Sequence, residues 1–190
     1  MIRDETYKIL REKWQRLQCT KSNIILEKKG DASFCYMLYI DVKDEEKFIQ
    51  MQKDLQLGGE LIESGKFHAT VRYIKNFTDY QPLVSYLKEI DLPIIEGKTN
   101  GFGIYGKEND TLVVELEGKD LHEWFEKIDN WLVDNGYPKS EYPTYKPHIS
   151  LTEQKGIEKP KWKKEYEFKV KFSLHVISDS NYEEVYREKI

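Results

Sequence analysis

The chain has 190 residues, 30 Lys plus Arg against 34 Asp plus Glu, and a net charge of −4. Thirteen Tyr, eight Phe and four Trp supply core material, so a charged fraction of 34% describes a well-solvated globular protein rather than a disordered one. The acidic balance excludes a global basic field for long nucleic acid, and no apolar run reaches the roughly eighteen residues of a membrane span.

Met1-Ile2-Arg3-Asp4-Glu5 lacks the apolar core of a signal peptide. Cys19 and Cys35 have no metal spacing and no disulfide pattern. Reduced thiols and a cytoplasmic location are expected, in the host cytoplasm if the protein is viral.

In chain order, Tyr7, Leu10, Trp14 and Leu17 predict an amphipathic helix over Asp4–Gln18, followed by a short apolar run at Asn23–Leu26. The aromatic and aliphatic stretch Ser33–Val42 predicts a strand. Asp44–Leu55 predicts a helix with Phe48, Ile49, Met51 and Leu55 inward, broken by Gly58-Gly59. Lys66–Ile74 predicts a strand. Thr78 is placed to cap a helix carrying Leu83, Val84, Leu87 and Ile90. Pro93–Glu96 predicts a short strand, and Gly101–Tyr105 with Thr111–Leu116 a hairpin.

Lys119–Val133 gives the clearest helix, ended by Gly136. A proline-containing loop over Tyr137–Pro147 leads into a strand through Thr152. Tyr166–Ile177 predicts a long final strand. The charged tail beyond it is expected to hold one further strand or helical turn. The pattern is an α+β chain in which each half offers a strand, a helix and a second strand.

Those second strands carry the chemistry. His68-Ala69-Thr70-Val71 and His148-Ile149-Ser150-Leu151 share one form: His, any residue, a hydroxyl residue, an aliphatic. Alternate residues of a strand face the same way, so His68 with Thr70, and His148 with Ser150, share faces. Facing one another, two imidazoles titrating near pH 6.5 supply a general acid and base, and two hydroxyls supply donors for phosphate oxygens. No cluster of His, Cys and Asp suggests a metal or other cofactor.

The same face is predicted to carry Arg72 as a bidentate phosphate donor, and Lys146 lies two residues before His148. Tyr145, Tyr142, Tyr73 and Phe102 are candidates to stack on a nucleobase, Tyr73 the weakest because alternation turns it towards the core. His122 and His175 lack a hydroxyl at +2 and read as structural.

Phe67–Tyr73 (FHATVRY) and Tyr145–Thr152 (YKPHISLT) resemble the paired signatures of the 2H phosphoesterases, the superfamily that includes the LigT-like RNA cyclic phosphodiesterases. The resemblance runs from about Ser33 to about Ser180. It implies a bilobal, pseudo-twofold fold with antiparallel sheets lining a central cleft and helices outside. The expected organisation is one domain of two lobes over 1–190, with a helical extension at 1–32 and motif strands near 66–74 and 147–153.

The implied activity is metal-independent hydrolysis of a 2′- or 3′-linked phosphodiester. For a compact acidic chain the expected partner is a small nucleotide or a short or cyclic oligonucleotide, such as an immune messenger, with neither long nucleic acid nor membrane. Two alternatives stay open: RNA 2′,3′-cyclic phosphodiesterase or 2′–5′ end processing, and nucleotide sequestration without cleavage.

Overall fold

The computed structural model describes residues 33–190 apart from 107, 109 and 143. The predicted helix at 4–18 and the run at 23–26 lie outside these residues. Among the described residues, eight strands and three α-helices follow in the order β1 (Ser33–Ile40), α1 (Val42–Asp54), β2 (Glu60–Leu61), β3 (His68–Lys75), α2 (Gln81–Glu89), β4 (Ile95–Tyr105), β5 (Thr111–Glu117), α3 (Lys119–Asp134), β6 (His148–Glu153), β7 (Lys169–Ser178) and β8 (Glu184–Lys189), with a 3-10 turn at Lys164–Tyr166 before β7.

Every strand pairing is antiparallel, along the path β2-β6-β5-β4-β7-β1-β3, with β8 added to β7. The path is symmetric about its middle. β4 pairs with β7 through Ile95–Lys98 and Lys169–Phe172. Outward from that pair come β5 and then β6 on one side, and β1 and then β3 on the other. Both motif strands therefore occupy equivalent places, and β3 and β6 approach each other without pairing.

All three helices pack on one side of the sheet. Phe48 and Met51 of α1, Leu83, Val84 and Leu87 of α2, and Leu121, Trp124, Ile128 and Leu132 of α3 are buried against Phe34, Tyr36, Leu38, Ala69, Phe102, Val114, Ile149 and Phe172. The 3-4-4 spacing of the α3 residues is what forces that segment to be a helix, since only a 3.6-residue period puts all four on one stripe. The opposite face of β1, β3 and β7 carries a second, smaller apolar group of Cys35, Met37 and Val176, flanked by Tyr39, Tyr73 and Leu174.

Several boundaries differ from the sequence reading. α1 starts at Val42 because Asp41, in extended backbone, accepts from the Lys43 amide at 3.0 Å. Asp79, not Thr78, accepts the first free amide of α2, from Gln81 at 3.2 Å. The two predicted pieces 93–96 and 101–105 are one strand, β4. The polar Lys98-Thr99-Asn100 stays in the sheet because buried Thr99 donates its hydroxyl to the Tyr166 carbonyl (2.6 Å) and accepts the Phe168 amide (2.9 Å). The charged tail does hold a strand, β8.

Strand β2 joins the two halves. It pairs with β6 through Glu60–Glu153 and Leu61–Thr152, and the chain then runs directly into β3. The Ile62 amide donates to the Leu151 carbonyl at 2.9 Å, and the Gln52 side-chain amide donates to the carbonyls of Ile62 (2.9 Å) and Leu151 (2.8 Å). Gly59, at φ +76°, is required there: a Cβ would sit 2.2 Å from the Glu153 carbonyl oxygen.

His175, the structural histidine of β7, is fully buried. Its Nε2–H donates to the Pro93 carbonyl (3.2 Å), so its Nδ1 accepts the Tyr36 hydroxyl, which in turn accepts Trp124 Nε1–H at 3.0 Å. Burial pushes the imidazole down to about 4, from 6.5. The unfolded chain takes up this proton as pH falls through 6.5, while the folded one resists until about 4. This one group is therefore expected to remove about 3 kcal/mol of stability between pH 6.5 and 4. Urea unfolding across that range checks it, and His175→Phe should flatten the dependence. Among the described residues no helix is long and apolar enough to cross a membrane.

Candidate functional site

β3 and β6 hold their tetrads in one local structure. Thr70 pairs with Met37 and Arg72 with Tyr36, leaving Val71 as the extra residue of a β-bulge. Ser150 pairs with Val113 and Thr152 with Leu112, leaving Leu151 as the extra residue of a second bulge. The bulge falls at the aliphatic position of each tetrad. Before it the alternation holds: His68, Thr70, His148 and Ser150 are half-buried, while Ala69 and Ile149 are in the core.

After it the alternation inverts. Val71 and Arg72 are both buried, and so are Leu151 and Thr152.

This corrects two expectations. Arg72 does not share the face of His68 and Thr70. It is only 5% exposed; its Nε donates to Asp129 of α3 (2.7 Å), Nη1 to the Tyr73 carbonyl (3.0 Å) and Nη2 to the Pro138 carbonyl (2.6 Å). The guanidinium fork is filled by protein and anchors the loop that leads to the second tetrad. Its counterpart Thr152 anchors the other connection, reaching the carbonyls of Gly58 (2.7 Å) and Glu60 (3.2 Å). Tyr73 moves the other way. The bulge brings it onto the face of His68, beside Cys35, Met37 and Val176, with its hydroxyl donating to Ser33 at 2.9 Å.

Phe102 is also not available to a base: it is fully buried, edge-on to Trp162 (4.9 Å) and Tyr166 (5.7 Å). Tyr145 is half-buried, with one ring face covered by Phe125 at 4.2 Å and 3°. Burial raises its phenol above the usual range. Tyr142 and Lys146 are exposed. Lys146 contributes its backbone: its carbonyl accepts from His148 Nδ1 at 2.8 Å, just as the Lys66 carbonyl accepts from His68 Nδ1 at 2.8 Å.

A carbonyl can only accept, so Nδ1 carries hydrogen in both rings, and each neutral imidazole keeps its lone pair on Nε2. The residue two before each histidine thus sets its tautomer, and Nε2 is the nitrogen left for proton transfer. Burial lowers both imidazoles below 6.5, and the hydrogen bonds to Lys66 and Lys146 partly offset this. The rings are close enough that charge on His148 further lowers His68, while the Glu115 carboxylate raises His148.

Three neighbours escaped the sequence reading. Tyr39 stacks on His68 (5.2 Å, 28°). Tyr105 meets His148 edge-on (4.6 Å, 69°) and donates its hydroxyl to Glu115 Oε1 at 3.2 Å. Glu115 lies directly opposite His148 in the ladder, as Tyr39 lies opposite His68. Only strand register, invisible to composition, reveals these pairs. Cys35 sits beside Thr70, and burial pushes its thiol up to about 12, so it is no nucleophile near neutral pH. Among the described residues no group of three or more His, Cys, Asp and Glu is placed to hold a metal ion.

The same architecture occurs in solved structures. Escherichia coli LigT in complex with 3′-AMP superposes with a TM-score of 0.59 at 13% identity, covering 85% of this chain and 99% of that one. A structure described as a phosphoesterase gives 0.60 at 13% identity, covering 85% and 99%. TT0787 of Thermus thermophilus gives 0.60 at 12% identity, covering 83% and 97%. The fold is thus that of LigT and other 2H phosphoesterases. No curated protein matches the chain in sequence. The family described as anti-CBASS protein Acb1 matches residues 36–186, a span that holds both tetrads and all but the ends of the sheet, and the chain belongs to that family.

Proposed function

We propose that the chain is a metal-independent phosphodiesterase that hydrolyses a 2′- or 3′-linked phosphodiester in a cyclic or short oligonucleotide, with His68 and His148 as the acid–base pair. The observation that carries this reading is the matched pair of imidazoles, each fixed through Nδ1 with Nε2 left for proton transfer, on strands that approach one another. One Nε2 takes the proton of the attacking water or ribose hydroxyl as its oxygen bonds to phosphorus. The other, protonated, gives its proton to the leaving oxygen as the phosphorus–oxygen bond breaks. Each role is typically worth 10²–10⁴ in rate.

Thr70 and Ser150, two residues beyond each histidine, donate to the non-bridging oxygens where charge develops. The catalytic unit in this proposal is a single domain of two halves, and residues 1–32 are an extension to it. Arg72 and Phe102 drop out of substrate binding; Tyr73, Tyr145 and Lys146 remain candidates at its margin.

The family's anti-CBASS description accords with a role in evading defence, and a small nucleotide substrate accords with the net charge of −4. LigT has been crystallised with 3′-AMP, ATP and NADP+, so this fold accommodates small nucleotides. The test is a panel of cyclic dinucleotides and trinucleotides, 2′–5′ oligonucleotides and RNA ending in a 2′,3′-cyclic phosphate, with and without EDTA. Linear product from a cyclic substrate, unchanged by EDTA, is expected. Binding without cleavage would point to sequestration, turnover of RNA ends alone to end processing, and loss of activity on chelation would end the metal-free scheme.

A further inference from the structure

The two tetrads are alike, yet the residue directly opposite each histidine differs in charge: Tyr39 opposite His68, Glu115 opposite His148. Resting on the two-histidine reading above, we propose that Glu115 polarises the pair, keeping the proton on His148 as the acid and leaving His68 as the base.

Glu115 of β5 and His148 of β6 are directly opposed in the ladder, so their side chains stand on one face with Cβ atoms about 5 Å apart. The equivalent place opposite His68 is taken by Tyr39, a neutral ring stacked on the imidazole. The Glu115 carboxylate lies against a bare strip of β4. A Cβ on Gly101 would come 3.2 Å from Glu115 Oε2; one on Gly103 would come 3.0 Å from Oε1 and 2.7 Å from Tyr105 Cε1. Both glycines of Gly101-Phe102-Gly103 therefore leave the room that the carboxylate and Tyr105 occupy. The Tyr105 hydroxyl, donating to Oε1, ties the carboxylate in place.

The groups facing His148 are Glu115 from β5, Tyr105 from β4 and His68 from β3, with the Lys146 carbonyl behind it. Of these only Glu115 carries negative charge, since burial and Glu115 itself raise the Tyr105 phenol and keep it neutral. A single proton entering the pair settles on the ring beside the carboxylate. Once there it discourages a second proton on the other ring. In turnover His148 gives this proton to the leaving oxygen, and His68 Nε2 takes one from the attacking water or hydroxyl. Solvent then resets both.

The test follows both histidines by NMR across pH in the whole protein and in Glu115→Gln, and compares pH–activity profiles on the substrate found above. In the unaltered protein His148 should titrate above His68. Glu115→Gln should lower the His148 midpoint by about one pH unit, and the alkaline limb of the activity profile with it, leaving the acid limb in place. Glu115→Asp should restore part of the shift.

His68 titrating above His148 in the unaltered protein overturns the proposal, and that measurement needs no variant to fold. So does a His148 midpoint that stays put in Glu115→Gln, or an acid limb that moves in place of the alkaline one. If no substrate is turned over, the enzymatic reading fails while the titrations still decide whether Glu115 orders the pair.

Discussion

Replacing either His68 or His148 with Ala is expected to lower turnover by roughly a hundredfold or more while the protein stays folded. Neither ring is part of the main core, so each loses one backbone hydrogen bond and one aromatic contact rather than a packed volume. The double variant should be little worse than the worse single one, because an acid and a base acting in one step fail together. Steady-state rates with a thermal melt on each variant check both halves. Activity within a few-fold of the parent in either single variant would take that residue out of the mechanism.

Arg72→Ala should do the opposite, weakening the fold rather than the chemistry. The guanidinium is buried, and Asp129, 23% exposed, would keep its charge with its partner gone, alongside the Tyr73 and Pro138 carbonyls. Breaking such a pair by removing one side costs about 3–5 kcal/mol. Arg72→Lys restores charge without the fork and should recover only a fraction of that. Denaturant midpoints measure the loss. Had Arg72 held phosphate, the Michaelis constant would rise in Arg72→Lys with stability nearly intact; that pattern would refute the structural role.

The contrast between these residues shows what a strand pattern can and cannot reveal. Alternation put His68 with Thr70 and His148 with Ser150 on shared faces, and the structure keeps both pairs, because the ladder is regular up to the hydroxyl residue. One residue later a bulge inverts the count. Arg72 went from the histidine face to the interior and Tyr73 from the interior to the histidine face for that single reason, since a one-residue slip exchanges the faces of everything beyond it.

Phe102 failed differently. The glycines on either side of it marked a hairpin strand, but its ring faces the core while the glycines face Glu115 and Tyr105. Tyr39, Tyr105 and Glu115 were visible as residues and invisible as neighbours, because register is a property of two segments at once. The helices at 42–54 and 119–134 were legible from their stripes, which depend on one segment only.

The short run through Glu60 and Leu61 carries a mechanical consequence. A stretch of chain laced to β6 at one end and to β1 through β3 at the other acts as a rivet across the seam, reinforced by the Gln52 amide. The halves cannot swing apart without tearing that lacing and the β4–β7 ladder, so the spacing between the imidazoles is expected to be alike with and without a ligand. The amide hydrogen of Ile62, held by the Leu151 carbonyl, should therefore exchange with deuterium more slowly than the amides of the loop that follows it.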